Sequence, residues 1–317
     1  MTLRPDTQAG APDGSRAADD RVFAMRLSLA AGLAMLAGKS GAYWMTGSAA
    51  ILSDAAESVI HVAAVSFAAV SLHMVSQPPR SDSPYGFDRM AFLSAGFEGG
   101  MIMMAAVWII AAVAEKWRRG LVLEQLGAGT AIVLAAALIN LALGWYLLST
   151  GRRTRSLILE ANGLHVLTDS WTSFGVVAGL GLVLLTGWKP FDPLCAMAVA
   201  LNILRSGGAL VVRSFRGLMD LPDPARMTEL RAAAERVARD MQVRYHRLRF
   251  RDTGRHFLGS IHLLLPADMP LGEAHRVATD FEARLAEGLP YELELLTHLE
   301  SLDDHASIHP DEPESWL

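Results

Sequence analysis

Four metal-ligating side chains lie inside apolar segments of the sequence, arranged as two pairs. Glu57 and His61 are four residues apart in one segment, and His165 and Asp169 have the same spacing in another. In a helix, residues i and i+4 lie on one face, one turn apart. Two helices that face each other with these pairs would form a cage of nitrogen and oxygen ligands.

Such a cage is suited to a divalent metal ion. A carboxylate in an apolar environment is costly unless it has a partner, and a cation is the best partner available. Two imidazoles and two carboxylates favour tetrahedral Zn²⁺, with Fe²⁺, Co²⁺ and Mn²⁺ as alternatives because geometry and supply set selectivity. The structural alternative is that these polar groups only hydrogen-bond between helices. We favour the metal site because the residues form two pairs at helical spacing.

Three of the other ionisable residues in the apolar segments bear on this site. Asp54 precedes Glu57 by three residues. It is either a third carboxylate ligand or, as we favour, a residue that orients the ligands. Lys39 and Glu98 are expected to form ion pairs or to pack between helices, since a protonated Lys cannot bind a metal.

The composition is too apolar for an ordinary soluble enzyme. Hydrophobic residues make up 51% of the 317 residues, and the mean hydropathy is +0.27. Six apolar segments approach the ~20 residues that a membrane-spanning helix requires. They cover residues 22–44, 50–75, 90–114, 127–148, 157–186 and 191–212. We therefore predict an all-α transmembrane transport domain of six helices at residues 21–215. Cys195 is the single cysteine, which excludes a disulfide framework or a thiolate metal cage.

The distribution of charge divides the chain and predicts its orientation. Residues 1–219 have a net charge of about +3 and residues 220–317 of about −8, which suggests a membrane half and an acidic soluble half. Lys and Arg are more frequent in the connections on the side of the amino terminus, so we expect both termini in the cytoplasm. Residues 1–20 have no apolar core of a signal peptide and are predicted to be a disordered tail. A plasma membrane or bacterial inner membrane is the expected location.

The pattern changes after Asp220 to that of a small α+β domain. Helical periodicity at 224–240 and 270–288 and alternation at 244–251, 257–265 and 292–300 predict the element order αββαβ, typical of a ferredoxin-like domain. Alternation in the first strand predicts that His246, Leu248 and Phe250 share one face. We place a cytoplasmic metal-binding and dimerisation domain at 220–302 and an acidic tail at 303–317.

Several motifs resemble those of one family, the cation diffusion facilitators. Ser48–Ser58 and His165–Asp169 resemble the family's second and fifth transmembrane helices, and Pro84–Arg89 resembles its entry to the third. The resemblance implies six helices, a cytoplasmic αββαβ domain, and homodimers in a lipid bilayer that export divalent metal in exchange for protons. It also implies that Glu57, His61, His165 and Asp169 form the transport site. The second-helix pair departs from the family's common zinc pattern, in which His or Asp comes first and Asp second.

The resemblance further implies a cytoplasmic metal site at the dimer interface. Its ligands would be the equivalents of His246, His262, His275, His298 and Glu300, where the family more often has Asp at the last position. For His256, His305 and His309 we favour ordinary surface histidines. A metal bound between two acidic domains would offset their repulsion and could couple cytoplasmic metal to transport.

The predicted function is export of a divalent cation by alternating access, with Zn²⁺ as the first choice of substrate and regulatory ligand. Neither an enzymatic activity nor a nucleic-acid partner is expected. A non-transporting metal sensor or scaffold of the same fold is the alternative. An intramembrane metalloprotease would need a helical His-Glu-x-x-His motif or an equivalent, and no such motif occurs in the sequence.

Overall fold

The chain divides into two compact units. The computed structural model describes residues 14–46, 49–119, 128–254 and 256–303. One unit is Met1–Phe215 and the other is Arg216–Leu317. Within the described helices, some side chains lie outside the description, and those of Asp54 and Glu57 are among them.

The first unit consists of long helices. They are α1 (Gly14–Thr46), α2 (Ala49–Val75), α3 (Met90–Arg119), α4 (Ala128–Arg153), α5 (Leu157–Thr186) and α6 (Phe191–Leu218). Among the described residues, three stretches are long and apolar enough to cross a bilayer, namely Arg16–Gly38, Met90–Glu115 and Pro193–Leu218. The apolar stretch of α2, His61–Val75, is shorter. Three of the six predicted spans, those in α1, α3 and α6, therefore meet this criterion among the described residues.

The start of the first helix corrects one expectation. Residues 14–20 were predicted to belong to a disordered tail, but α1 already begins at Gly14. Asp20 accepts a hydrogen bond of 2.7 Å from the Arg153 guanidinium of α4. The prediction was wrong because the start of α1 is polar in composition, although it continues directly into the apolar part of the same helix. Residues 1–13 and 304–317 lie outside the described part of the chain, so only Asp303 of the predicted acidic tail is described.

Glycines let α4 and α5 approach to backbone contact. A Cβ on Gly163 of α5 would lie 2.6 Å from the backbone nitrogen of Leu148, and one on Gly144 of α4 would lie 3.0 Å from the backbone nitrogen of Leu167. Small residues at such crossings are the usual means by which membrane helices pack closely. Ser156 caps the start of α5, and Gly187 ends it in the left-handed conformation. The position of α5 along α4 is therefore closely defined.

The second unit has the predicted αββαβ order. Its elements are α7 (Pro224–Met241), β1 (Arg244–Asp252), β2 (Phe257–Leu265), α8 (Leu271–Glu287) and β3 (Leu293–Ser301). β2 is central, antiparallel to β1 and parallel to β3. The apolar faces of α7 and α8 pack on one side of the sheet, against a core that includes Phe257, Ile261 and Leu263. Alternate residues of β2 therefore face away from the helices, on what we call the open face.

A bulge in β1 corrects the predicted alternation of that strand. His246 pairs with His262, whereas Phe250 pairs with Gly259, and the register shifts between these pairs. Paired residues point to the same side of a sheet, and positions 262 and 259 point to opposite sides because they are three residues apart. His246 and Phe250 therefore lie on different faces. The extra residue is accommodated where Arg247 has a φ of 50°.

Candidate metal sites

Three of the four predicted transport-site residues come together between α2 and α5. His61, His165 and Asp169 each offer one ligand atom, and these atoms all lie within 4.8 Å of one another. The two imidazole centroids are 5.0 Å apart, and His61 Nδ1 is 3.9 Å from Asp169 Oδ2. We call this group the helix cluster. Its two imidazoles are largely buried, whereas the Asp169 side chain is 40% exposed.

The surrounding helices leave space for this group. Gly32 of α1 lies against His61, so that a Cβ there would be 3.4 Å from the imidazole Cδ2. The hydroxyls of Thr168 and Ser170 donate to carbonyl oxygens of their own helix, Leu164 O and Val166 O. These neighbouring hydroxyls are satisfied locally, so they do not compete for the side chains of the helix cluster.

The remaining second-helix residues are placed only by their backbone. Glu57 is four residues before His61 in α2, and Asp54 is a further three residues back, both within the helix as predicted. Their side chains lie outside the described part of the structure. Glu57 as a ligand and Asp54 as an orienting residue therefore stay predictions.

Glu98 of α3, which the sequence predicts to form an ion pair or to pack between helices, is a neighbour of the helix cluster. Its carboxylate is fully buried, and its Oε2 lies 3.7 Å from His165 Nδ1. Among the described residues, neither carboxylate oxygen of Glu98 has a hydrogen-bond partner, and neither does His165 Nδ1. The signal was present in the sequence as an acidic residue in an apolar segment, but only the packing of α3 on α5 shows which residue it faces.

A second group lies on the open face of the sheet. His246, His262 and His298 occupy one row across the three strands, because His246 pairs with His262 and His262 pairs with His298. Glu300 accepts hydrogen bonds of 2.8 Å from His246 Nε2 and 2.6 Å from His262 Nδ1. His246, His262 and Glu300 have ligand atoms within 4.8 Å of one another, and we call them the sheet cluster.

The pKa shifts in the sheet cluster favour the protonation states that bind metal. Burial raises the pKa of Glu300, but the hydrogen bonds from His262 and His246 outweigh it and leave that pKa below its usual value. Burial lowers the pKa of His262, which favours the neutral imidazole. A neutral imidazole and an ionised carboxylate are the forms in which these residues bind metal.

The other two residues of the predicted cytoplasmic site lie further out. His298 Nε2 is 3.8 Å from Glu300 Oε1, and the His298 side chain is 65% exposed. His275 is exposed on α8, in the helical layer on the other side of the sheet from the sheet cluster. One chain therefore brings three of the five residues together, with His298 at the edge. A ligand role for His275 requires a second chain and stays a prediction.

The two groups have the same donor set. Two imidazoles and one carboxylate suit divalent transition metals such as Zn²⁺ and Fe²⁺, and leave a coordination position for a further ligand. A unit of long apolar helices with one such group, joined to a small α+β unit with another, defines a membrane protein that handles divalent metal cations.

Comparison of the sequence with known protein families identifies this class more closely. The Cation efflux transmembrane domain matches residues 25–219, and the Cation efflux protein, cytoplasmic domain matches residues 222–302. The chain belongs to the cation efflux family, which confirms the resemblance to cation diffusion facilitators seen in the sequence motifs. Members of this family are transporters and not enzymes.

Three relatives illustrate the range of similarity. An uncharacterized transporter of Synechocystis sp. is 35% identical over 287 residues, covering 90% of this chain and 92% of that protein. The zinc transporter ZitB of Escherichia coli is 30% identical over 177 residues, covering 56% of each chain. The cadmium, cobalt and zinc/H(+)-K(+) antiporter of Bacillus subtilis is 26% identical over 177 residues, covering 56% of this chain and 57% of that protein.

Proposed function

We propose that this protein exports a divalent transition-metal cation, Zn²⁺ first, from the cytoplasm through its helical unit. The observation that carries the proposal is the convergence of His61 from α2 with His165 and Asp169 from α5. A site shared between two helices can change its access when those helices move relative to each other. Glu57, one turn before His61, would supply a second carboxylate.

The choice of metal rests on donor chemistry and on the relatives. Imidazole nitrogen and carboxylate oxygen bind Zn²⁺ well and also accept Fe²⁺, Co²⁺, Mn²⁺ and Cd²⁺. One relative is named a zinc transporter, and another is named for cadmium, cobalt and zinc. The pair Glu57 and His61 on α2 departs from the family's common zinc pattern, and we propose that this pair adjusts the preference among these metals.

The proposed topology has six membrane spans, with both termini and the sheet domain in the cytoplasm, and the active form is a homodimer. The match of residues 222–302 to the family's cytoplasmic domain supports this side for the sheet domain. We propose that the sheet cluster, together with His298 and with His275 from the second chain, binds regulatory metal at the dimer interface. Metal there would offset the repulsion between two copies of residues 220–317, each of which has a net charge of about −8.

Export is proposed to be coupled to proton entry. Metal ligands must lose their protons to bind a cation, so protons that enter from the outside compete with the metal for the same side chains. A relative whose name includes H(+) antiport supports this mechanism. Metal would bind the deprotonated site from the cytoplasm, and protons would displace it after the helices have rearranged.

Zn²⁺ uptake into proteoliposomes tests this proposal. We expect purified protein to accumulate Zn²⁺ inside vesicles whose interior is more acidic than the outside, so that protons leave as Zn²⁺ enters. Much less Zn²⁺ should accumulate without this pH gradient. His61→Ala should abolish uptake, whereas His73→Ala, on the exposed part of the same helix, should leave it intact. Metal binding without any flux would instead identify a sensor or scaffold of the same fold, and flux without a gradient would contradict the proton coupling.

A further inference from the structure

We propose that Glu98 of α3 is a positioning residue of the transport site, where it holds the imidazole of His165 through the Nδ1–H. The inference rests on the proposed transport function of the helix cluster. It adds a third helix to a site that the sequence assigned to α2 and α5. Its first basis is the burial of Glu98, whose side chain has 0% exposure.

A buried carboxylate without hydrogen bonds needs an explanation. Leaving such a group unpaired in an apolar interior is strongly unfavourable, so buried carboxylates have a partner or bind a cation. Within the described part of the chain, the ion-pair contact of Glu98 is with His165, at 3.7 Å from Oε2 to Nδ1. The His165 Nδ1 is itself buried and has no hydrogen bond to a described residue. These two unsatisfied groups face each other across the contact between α3 and α5.

The geometry favours an indirect role for Glu98 over direct ligation. The three ligand atoms of the helix cluster lie within 4.8 Å of one another without Glu98, which lies beside the His165 ring. Shortening the 3.7 Å contact by about 1 Å would give a hydrogen bond of ordinary length. A hydrogen bond at Nδ1 fixes the tautomer and directs the lone pair of Nε2 to the metal, and carboxylates commonly serve metal-binding histidines in this way.

The backbone that carries Glu98 is held firmly. The next residue, Gly99, packs against α6 so closely that a Cβ there would lie 3.1 Å from the carbonyl oxygen of Gly207. A Cβ on Gly207 would in turn lie 2.8 Å from Ile102 Cγ2. A side chain that orients a ligand is effective only when its own backbone is fixed, and this glycine contact fixes α3 next to Glu98.

The test compares the KM for Zn²⁺ of three proteins in proteoliposomes: wild type, Glu98→Leu and Glu98→Gln. Leu fits a buried apolar site but cannot accept a hydrogen bond, so we expect KM to rise about 10- to 100-fold. Gln retains an acceptor oxygen, and we expect a smaller rise. Glu115→Leu and Glu115→Gln, near the other end of the same helix, are the matched controls and should leave KM unchanged.

Each outcome separates one role from another. A direct metal ligand would make Gln as damaging as Leu, because an amide is a poor substitute for a carboxylate, and this result would overturn the positioning role. A purely structural role would lower the amount of active protein, and hence Vmax, without changing KM, and would also overturn it. If wild type itself carries no Zn²⁺ flux, the transport proposal fails first. If wild type transports and Glu98→Leu has a normal KM, only the role of Glu98 is refuted.

The imidazole tautomer gives a second, independent measurement. In metal-free protein with ¹⁵N-labelled histidine, the His165 resonances, identified with a His165→Asn variant, should show the Nδ1–H tautomer. Glu98→Leu should change them to a mixture or to the Nε2–H form. An unchanged tautomer in that variant would overturn the proposal even if KM rises.

Discussion

The helix cluster and the sheet cluster have the same three ligand groups, two imidazoles and one carboxylate, but differ in the distances between them. In the sheet cluster, one carboxylate accepts hydrogen bonds of 2.8 and 2.6 Å from two imidazoles. In the helix cluster, the carboxylate of Asp169 is 3.9 Å from His61, and the neighbouring carboxylate of Glu98 is 3.7 Å from His165. Metal entering the sheet cluster must therefore replace the hydrogen bonds that join its own members, whereas the His61–Asp169 contact within the helix cluster is longer than a hydrogen bond.

The scaffolds account for this difference. A β-sheet fixes neighbouring side chains by its register, and three histidines on one row are held within a narrow range of distances. The helix cluster depends on packing between separate helices, which can slide or tilt while each keeps its own hydrogen bonds. A regulatory site benefits from the first arrangement, and a site that must bind and release a cargo benefits from the second.

The contact between α4 and α5 offers the largest expected effect on one cluster alone. A Cβ at Gly163 would lie 2.6 Å from the Leu148 backbone, so Gly163→Ala should force the helices apart at a cost of about 1–3 kcal/mol. We expect a marked loss of Zn²⁺ transport and a lower unfolding temperature of the helical unit. The control is Gly181→Ala on the same helix, where the added Cβ meets no atom within 4 Å. Equal effects of the two substitutions would show that close packing here is unimportant.

Glu300→Gln should weaken the sheet cluster and not the helix cluster. The substitution removes the charge that two imidazoles bond to, which we expect to cost about 1–3 kcal/mol in the stability of the sheet domain. In calorimetry of the full-length protein, Zn²⁺ should raise the sheet-domain transition of wild type but not that of the variant. Glu294→Gln, exposed on the same strand, should behave like wild type. A Zn²⁺ shift that persists in Glu300→Gln would remove this residue from the site.

His61→Asp tests whether the second-helix pair sets metal preference. The substitution restores the family's common residue at this position, and we expect the ratio of Zn²⁺ to Co²⁺, Fe²⁺, Mn²⁺ or Cd²⁺ transport to change about tenfold, since ligand type sets selectivity. Initial rates for the five metals in proteoliposomes give the measurement. Identical preferences in wild type and variant would show that selectivity lies elsewhere.

Acid should destabilise the sheet cluster, and this is the smallest expected effect. Because the pKa of Glu300 is lowered in the folded protein, its contribution is present above its unfolded pKa and is lost as pH falls through the folded pKa. The pKa of His262 is also lowered, so the unfolded chain takes up a proton first as pH falls below about 6.5. The sheet-domain transition should therefore move to lower temperature as pH falls below about 6.5, because of His262, and again at more acidic pH, where Glu300 takes up its proton below its ordinary pKa. The second step should be absent from Glu300→Gln. A transition that rises on acidification would contradict both shifts.

Much of this molecule was accessible from the sequence because the relevant signals are local. Helical spacing indicated that His165 and Asp169 share a face, and the αββαβ order followed from periodicity and from the flanking Gly and Pro residues. The bulge in β1 was missed because it depends on a positive φ at Arg247. Arginine rarely adopts a positive φ, so its presence in the sequence does not predict a bulge. The partnership of Glu98 with His165 was missed because it depends on how α3 packs, which spacing within one helix cannot reveal.

Zn²⁺ flux through full-length Asp169→Ala and Glu300→Gln, measured side by side in proteoliposomes, tests the central claim most directly. If the helix cluster carries the cargo, Asp169→Ala should abolish transport, because removal of its carboxylate leaves the cation without a ligand that both shapes the site and balances charge. Glu300→Gln should retain transport and change only its dependence on cytoplasmic Zn²⁺. Normal flux through Asp169→Ala would contradict the assignment of the helix cluster as the transport site.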